Sequence, residues 1–393
     1  MRFLGISFGV RQPGLVVSLG CFIASLAFIC CGLHGQDAVD GALDAILKIE
    51  RGGEGVAQAS AAAEKLQKQK TGLESLLEKA STANPVAKNW ILSLAQAAAD
   101  RQPAAETNDS LVKILADRQA DGEVRYWVLD RMAAGDKVAR EKLLDGRTED
   151  PSLDIRYEAI ELAMSKLPSM DEANGDTKKK ELCIASYEKL LQAARLPEQI
   201  NAIAEKLKTL GTTVELRKHF GFISTWQVVG PFDNRQTVGF EQAYPPEIEY
   251  QRNAKLDQKQ RYPGKNGEVG WQPASTEKAV GEVDLNPIFT NEKGAVVYAY
   301  TVVQSPRDVQ CEVRLGCINA NKVWVNGTEA TANNVYHTGA QIDQYTGVAK
   351  LKSGANTVLV KVCQNEQTDS WAQNFAFQLR FTDTTGRAIE LAQ

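Results

Sequence analysis

Two segments in the C-terminal half of the chain carry the residue types that molecular recognition needs. The first runs from Tyr336-His337 to Asp343-Gln344-Tyr345. The second, Gln364-Asn365-Glu366-Gln367-Thr368-Asp369-Ser370-Trp371-Ala372-Gln373-Asn374, follows directly on an apolar, strand-like run. Planar amides and carboxylates offer hydrogen bonds to hydroxyl groups, and an aromatic face packs against sugar C–H groups. The second segment supplies both within eleven residues. These features nominate Asp343, Gln344, Tyr345, Gln364, Asn365, Glu366, Asp369, Trp371 and His337 as ligand-binding candidates. A plainer account fits the same residues: a long polar hairpin whose amides cap its own backbone, with Trp371 closing the core. His337 lacks an obvious acidic, Ser or Cys partner, and reads as a structural hydrogen-bonding residue rather than a base.

No catalytic signature accompanies these segments. The chain holds no Gly-x-Ser-x-Gly, no phosphate-cradling glycine loop, no dinucleotide fingerprint and no His-Glu-x-x-His. In the β half, Glu366 and Asp369 are the close pair of acids near an aromatic, so glycoside cleavage by two carboxylates stays open as an alternative. No catalytic residue is assigned. Asp284-Leu285-Asn286, Asp233-Asn234 and Asp343 offer oxygen ligands for a structural calcium, although no loop has the regular acidic spacing of a calcium motif. No other cofactor is expected. Cys183, Cys311, Cys317 and Cys363 show no CxxC spacing, and His219 and His337 are the histidines that accompany them, which argues against zinc. Cys311 and Cys317 would lie about 20 Å apart on an extended strand, too far to bridge. Cys363 could pair with either, but small buried thiols in a β core are the plainer reading.

Charge narrows the partners. The formal net charge is −4, with Arg2 and Arg11 the charged residues before Asp37. Beyond that leader, 43 basic residues face 49 acidic ones, or −6. Such a balance offers nucleic acid no basic field, and none is expected as a partner. Arg2, Arg11 and the apolar run Leu15 to Cys31 read as a signal sequence over residues 1–36, with Gly32 and Gly35 as small residues near a cleavage site. Its 17 apolar residues also reach the lower edge of what spans a bilayer, so an uncleaved anchor is an alternative, and Cys30-Cys31 leaves a lipid-attached form as a third. Each version predicts an exported protein, periplasmic or extracellular, anchored in a membrane through residues 15–31 only if that segment is uncleaved.

Two kinds of element must position these groups, because 393 residues exceed one ordinary core. Residues 37–218 are rich in Ala, Leu, Lys and Glu at helical spacing, and residues 219–393 alternate with period two. Within the helical half, Glu123-Val124-Arg125-Tyr126-Trp127-Val128-Leu129 matches Asp154-Ile155-Arg156-Tyr157-Glu158-Ala159-Ile160 at an offset of 31, and Val86 to Leu94 looks like a weaker earlier copy. Pro151 and Ser152 precede the second copy as helix-start residues should. Trp90 and Trp127 fall on apolar stripes and read as core. The polar run Asp171 to Lys180 reads as a loop or an interrupted helix start, and Glu181 to Leu210 as a helical pair broken at Pro197. In the β half, strands are expected at 295–303, 309–315, 322–325, 348–351, 357–363 and 375–381. Asn326-Gly327 and Ser353-Gly354-Ala355-Asn356 mark turns, no helix is expected between strands, and Trp324 reads as core. Many short strands of this kind predict a β-sandwich.

Two resemblances refine this outline. Asp150-Pro151-Ser152-x-Asp154-Ile155-Arg156-Tyr157-x-Ala159 resembles a HEAT-type repeat, which implies stacked helix pairs, an α-solenoid, with Asp and Arg cross-bracing neighbours. Trp226-Gln227-Val228-Val229-Gly230-Pro231-Phe232-Asp233-Asn234, Gly239-Phe240, Tyr244-Pro245-Pro246-Glu247, Val323-Trp324-Val325-Asn326-Gly327 and Lys352 to Val362 together resemble the galactose-binding-like jelly rolls appended to secreted glycosidases and exported bacterial proteins. The combination is similar to a family of exported bacterial proteins without established activity. The resemblance implies a sugar-binding fold, though a fold alone does not make a function. The expectation is an exported, non-catalytic protein that binds a glycan or envelope polysaccharide through its sandwich, its repeats serving as spacer or as a docking surface for an envelope protein. A periplasmic protein–protein scaffold and a glycan-processing enzyme are the alternatives.

Overall fold

A computed structural model describes residues 39–50, 52–69, 71–101 and 104–393. The expected leader, with its signal, anchor and lipid-attached alternatives, lies outside them. The chain divides into two compact units, up to Leu143 and from Leu144 onward. Helix gives way to strand near residue 220, as composition suggests, but the last helices belong to the same compact unit as the sheets.

The first unit is helical: α1 (39–47), α2 (Val56–Lys68), α3 (Leu73–Thr82), α4 (Pro85–Ala99), α5 (Ala104–Ala116), α6 (Gly122–Ala133) and α7 (Lys137–Leu144). The sequence repeat has a physical counterpart at helix starts. Asn84 caps α4 by accepting from the Val86 and Ala87 N–H groups, and Asp121 caps α6 by accepting from Glu123 and Val124. Four residues after each cap stands a buried cation, Lys88 or Arg125. A buried cation in the first turn opposes the helix dipole and loses hydration, so it needs strong acceptors. Lys88 Nζ donates to Asp121 at 2.8 Å and Glu123 at 2.7 Å, and Arg125 Nη2 donates to the Leu115 carbonyl at 3.0 Å. Trp90 and Trp127, expected in the core, are half-buried instead. The buried stripe of α6 runs through Val124, Arg125, Val128 and Leu129, which turns the indole to its flank.

The second unit opens with α8 (Leu153–Ser165), α9 (Met170–Gly175), α10 (Thr177–Ala193), α11 (Pro197–Thr209) and α12 (Leu216–Phe220). Ser152, at the N-cap position of α8 but without a side-chain cap bond, and buried Arg156 repeat the spacing, with Arg156 Nε donating to the Asp150 carbonyl at 2.7 Å. The polar run 171–180 holds the end of α9 and the start of α10. A Ser169–Glu172 capping box starts the one and Asp176 caps the other. Ile160, Tyr187, Leu190, Ile203, Leu207 and Phe220 share the apolar core of these helices.

The β region comprises β1 (Thr225–Asp233), a helical turn at Arg235–Phe240, α13 (Pro245–Asn253), β2 (Arg261–Gly264), β3 (Gly267–Gly270), β4 (Gln272–Ser275), β5 (Val283–Asp284), β6 (Ala295–Ser305), β7 (Val309–Gly316), β8 (Ala320–Val325), β9 (Thr328–Asn333), β10 (Tyr345–Leu351), β11 (Gly354–Gln364), a 3₁₀ turn at Ser370–Ala372 and β12 (Ala376–Thr382). One antiparallel sheet has the order β4-β1-β6-β11-β8-β9, a second has β10-β7-β12-β5, and β2-β3 form a separate ribbon. Val228, Val297, Val360 and Val362 from the first sheet share a core with Val313, Leu315, Leu379 and Phe381 from the second. Asn326 (φ 52°) and Gly327 (φ 83°) make the β8–β9 hairpin, a two-residue turn with both φ positive as Asn-Gly prefers.

The outer sheet faces are covered, which alternation alone does not predict. Along β11, Val358, Val360 and Val362 point to the shared core, and Leu359, Lys361 and Cys363 point outward. There they meet Phe240, Tyr250 and Leu256 from the segment carrying α13, a helix not expected among the strands. Pro245 and Pro246 start it, where a missing N–H and a preset φ cost nothing. Along β12, Phe377, Leu379 and Phe381 point inward, and the outward Gln378, Arg380 and Thr382 are buried as well.

Candidate functional site

The loop from β11 to β12 and the loop from β9 to β10 meet at one corner. Its foundation is Gln364, a fully buried side chain. Gln364 Oε1 accepts from Asn319 at 2.6 Å, and its Nε2 donates to the carbonyls of Ala372 and Asn374, each at 3.3 Å. Asn234 Nδ2 donates to the Gln364 carbonyl at 2.8 Å. Gln364, a ligand candidate by sequence, is therefore an internal tie between loops.

Asn365 begins the accessible layer. Its Oδ1 accepts from the Gln367 N–H at 3.2 Å, and its Nδ2 donates to Gln367 Oε1 at 2.8 Å. Those two bonds orient the amide with oxygen toward His337 Nε2, 3.0 Å away. Nε2 is accordingly the protonated nitrogen, a tautomer inferred from the network. Nδ1 becomes an acceptor that is buried and bonded to nothing among the described residues. His337 is held at φ 59°, in the left-handed region, and its N–H donates to the Ile318 carbonyl at 2.7 Å. A non-glycine residue fixed there stores local strain, a feature that clusters at ligand sites.

Trp371 stands on this support. Its ring is 5.0 Å from the His337 ring at 87°, an edge-to-face contact, and the residue is 60% exposed. The short turn that carries it is pinned. Gln373 Nε2 donates to the carbonyls of Thr368 (2.7 Å) and Asp369 (2.8 Å), and Lys293 Nζ donates to the Ala372 carbonyl at 2.9 Å. The indole thus reaches solvent from a fixed base. It does not close the core, and Ala372 beside it takes the buried position. Glu366 is exposed and accepts the Gln236 N–H at 2.8 Å, and exposed Asp369 starts the turn.

The other candidates divide. Asp343 belongs to an internal ion cluster, accepting from Arg380 Nε (2.7 Å), Arg380 Nη2 (2.5 Å) and Arg314 Nη1 (2.8 Å). Burial raises its pKa, but the two guanidinium groups outweigh that and hold the carboxyl below the usual range. Gln344 Oε1 accepts from the Cys317 N–H at 3.2 Å, and its Nε2 donates to Thr338 Oγ1 at 2.5 Å. The Tyr345 hydroxyl lies 3.4 Å from both Thr338 and Gln344, while its ring packs on the core between the sheets. Gln344 and Tyr345 hence brace the loop that carries His337. The ring contact of Trp371 is with His337, not Tyr345.

Two buried cations escaped the sequence reading. Lys361 is fully buried, and its Nζ donates to the carbonyls of Phe240 (3.0 Å) and Gln242 (2.9 Å) and to Glu247 Oε2 (2.9 Å). The Tyr298 hydroxyl donates to the same carboxylate at 2.6 Å. Burial, then the Glu247 charge, push Tyr298 well above the ordinary phenol value. Arg380 is the second cation, and it also donates to the Phe220 carbonyl at 3.2 Å. The available signal was a lysine interrupting the Val-Leu-Val-Lys-Val run of a central strand, where a solvent-facing residue is rare.

The four cysteines outside the leader are unpaired and buried. Burial pushes the thiols of Cys317 and Cys363 up to about 12 and that of Cys311 to about 11, far from reactive thiolates. The oxygen groups considered for calcium do not converge. Asp233 pairs with Arg235 at 2.8 Å, Asp284 accepts the Asn286 N–H at 3.0 Å, and Asp343 serves the arginines. Among the described residues no group of three His, Cys, Asp or Glu side chains is arranged to hold a metal. Nor is any described helix long and apolar enough to cross a membrane.

Comparison of the chain with protein-family models and with curated proteins finds no match in either.

Proposed function

We propose that the chain is an exported, non-catalytic binding protein that takes a glycan or envelope polysaccharide on the Trp371 corner of its β region. The observation that carries this reading is the exposed indole on a pinned turn. Burying a large apolar side chain is worth about 1.5–3 kcal/mol, so a fixed, solvent-facing tryptophan forgoes stability that a ligand can restore. The loop that carries it also holds groups suited to sugar hydroxyls: the amides of Asn365, Gln367 and Gln373 and the carboxylates of Glu366 and Asp369. The paired antiparallel sheets fit the galactose-binding-like resemblance, and the recurrent cap-plus-cation spacing fits the HEAT-like one. In this reading the helices act as spacer or docking surface, and the apolar leader exports the chain.

The test is a glycan array followed by titration of the best-retained oligosaccharide. Trp371→Ala is expected to weaken binding tenfold or more, equivalent to about 1.4 kcal/mol, with the melting temperature unchanged because the ring is exposed. Retention of no glycan, or equal affinity in the variant, would overturn the proposal. Turnover of the retained glycan would favour the enzyme alternative instead.

A further inference from the structure

A groove of about 1110 Å³ opens in the second unit between the helical segment 191–224 and the segment after β12. Its wall carries Arg195, Arg217, Lys218, His219, Arg380 and Arg387 against the carboxylates of Glu215 and Glu390. This positive excess is local, because the chain as a whole is acidic at −4. Two of the cations are already neutralised: Arg380 by Asp343, and Arg217 by Glu277 at 2.7 Å.

Among the described residues, Arg195, Lys218 and Arg387 form no ion pair with a carboxylate. Arg195 Nη1 donates to the carbonyls of Gln192, Ala193 and Ala194, its Nε donates to the Thr385 hydroxyl at 3.3 Å, and its Nη2 makes no bond among the described residues. The side chains of Lys218 and Arg387 likewise make none among the described residues. Burial, with the like charges of Arg156 and Arg387, pulls the Arg195 guanidinium down to about 10, and Asp383 and Glu149 only partly offset this. Burial and the charges of Arg195 and Arg380 also lower His219. Arg195, part-buried and depressed by burial and by its like-charged neighbours, is relieved by a bound anion. Beside them Leu191, Ile200, Val214, Ile389 and Leu391 make part of the wall apolar.

We propose that this groove binds a small organic oxyanion, a phosphate or carboxylate on an apolar body. Arg195 and Arg387 take the charged end, since guanidinium forks match such oxygens in pairs, and Ile389 and Leu391 receive the body. The site shares no residue with the Trp371 corner and does not rest on the glycan proposal.

The experiment is calorimetric titration of the full chain at low salt with inorganic phosphate, phenyl phosphate and benzoate. Phenyl phosphate or benzoate is expected to bind at least tenfold tighter than inorganic phosphate, and the tighter of the two identifies the charged group. Arg387→Gln, an exposed change that breaks no side-chain bond, is expected to weaken binding at least tenfold, whereas Trp371→Ala leaves it unchanged. Arg195→Gln is expected to act in the same direction. Because Arg195 also bonds carbonyls at the end of α10, its fold is checked by melting, and the Arg387 result stands alone. Heat from none of the three anions, equal affinity for inorganic phosphate, or an indifferent Arg387→Gln variant would each overturn the site.

Discussion

Lys361→Met, with Glu247 left in place, is expected to lower the unfolding free energy by about 3–5 kcal/mol, the usual loss when one partner of a buried ion pair is removed. The pair sits on the outer face of β11 beneath α13, with the two residues 0% and 3% exposed. Removing the ammonium strands the Glu247 carboxylate and the carbonyls of Phe240 and Gln242, which Lys361 now satisfies. Glu247→Leu should lose a similar amount, since it strands the cation and the Tyr298 hydroxyl. The double variant removes both charges, and is expected to lose less than the two single losses added together, by about 1–3 kcal/mol of coupling. Urea unfolding followed by tryptophan fluorescence measures all three. Additive losses would mean that the 2.9 Å contact carries no interaction.

On the other sheet, Asp343→Asn is expected to lower stability by about 3 kcal/mol at neutral pH, for the same reason. Arg380 then keeps a buried charge with only carbonyl partners, while Arg314 retains Glu312 at 2.7 Å. Acid should reproduce the effect. The Asp343 pKa is depressed in the folded state, so the unfolded chain takes up the proton first as pH falls. Its contribution is therefore complete above the unfolded carboxylate value of about 3.9 and disappears as pH drops through the lower folded value. Unfolding curves at pH 6 and pH 3 should show this component in the native chain and not in Asp343→Asn. Equal acid losses in both would assign the acid sensitivity to other groups.

Much of the fold was legible because local rules and the fold agree. The alternation of β7 and β12, the Asn-Gly turn and the helix start at Pro151-Ser152 each follow from one short stretch of chain. The covers were not legible. Period two tells which face of a strand a residue occupies, but not what lies over that face. Thus Arg380 and Lys361 lie on the outer faces of their strands and are buried, and the two prolines that start α13 read only as part of a β region. The candidate site was legible as a segment and not as a geometry. Trp371 and Asn365 were nominated from composition, yet their bearing on His337 depends on a contact across 28 residues of chain. The same long-range pairing takes Asp343 and Gln364 away from solvent, because each has buried partners that only the folded chain brings near.

The helices α8 to α12 have one more consequence, for how such a chain can be inherited. Phe220 and Phe222 lie in the core of those helices, and the next residue, Ile223, donates its N–H to the Leu379 carbonyl of β12 at 2.9 Å. A recombination event at the visible change from helix to strand would divide that core and leave raw apolar surface on both products. Crossover near residue 144 falls instead where the two compact units part. If relatives of the β region circulate with other partners, the helices from α8 onward should travel with it, and the earlier helices should be the exchangeable part.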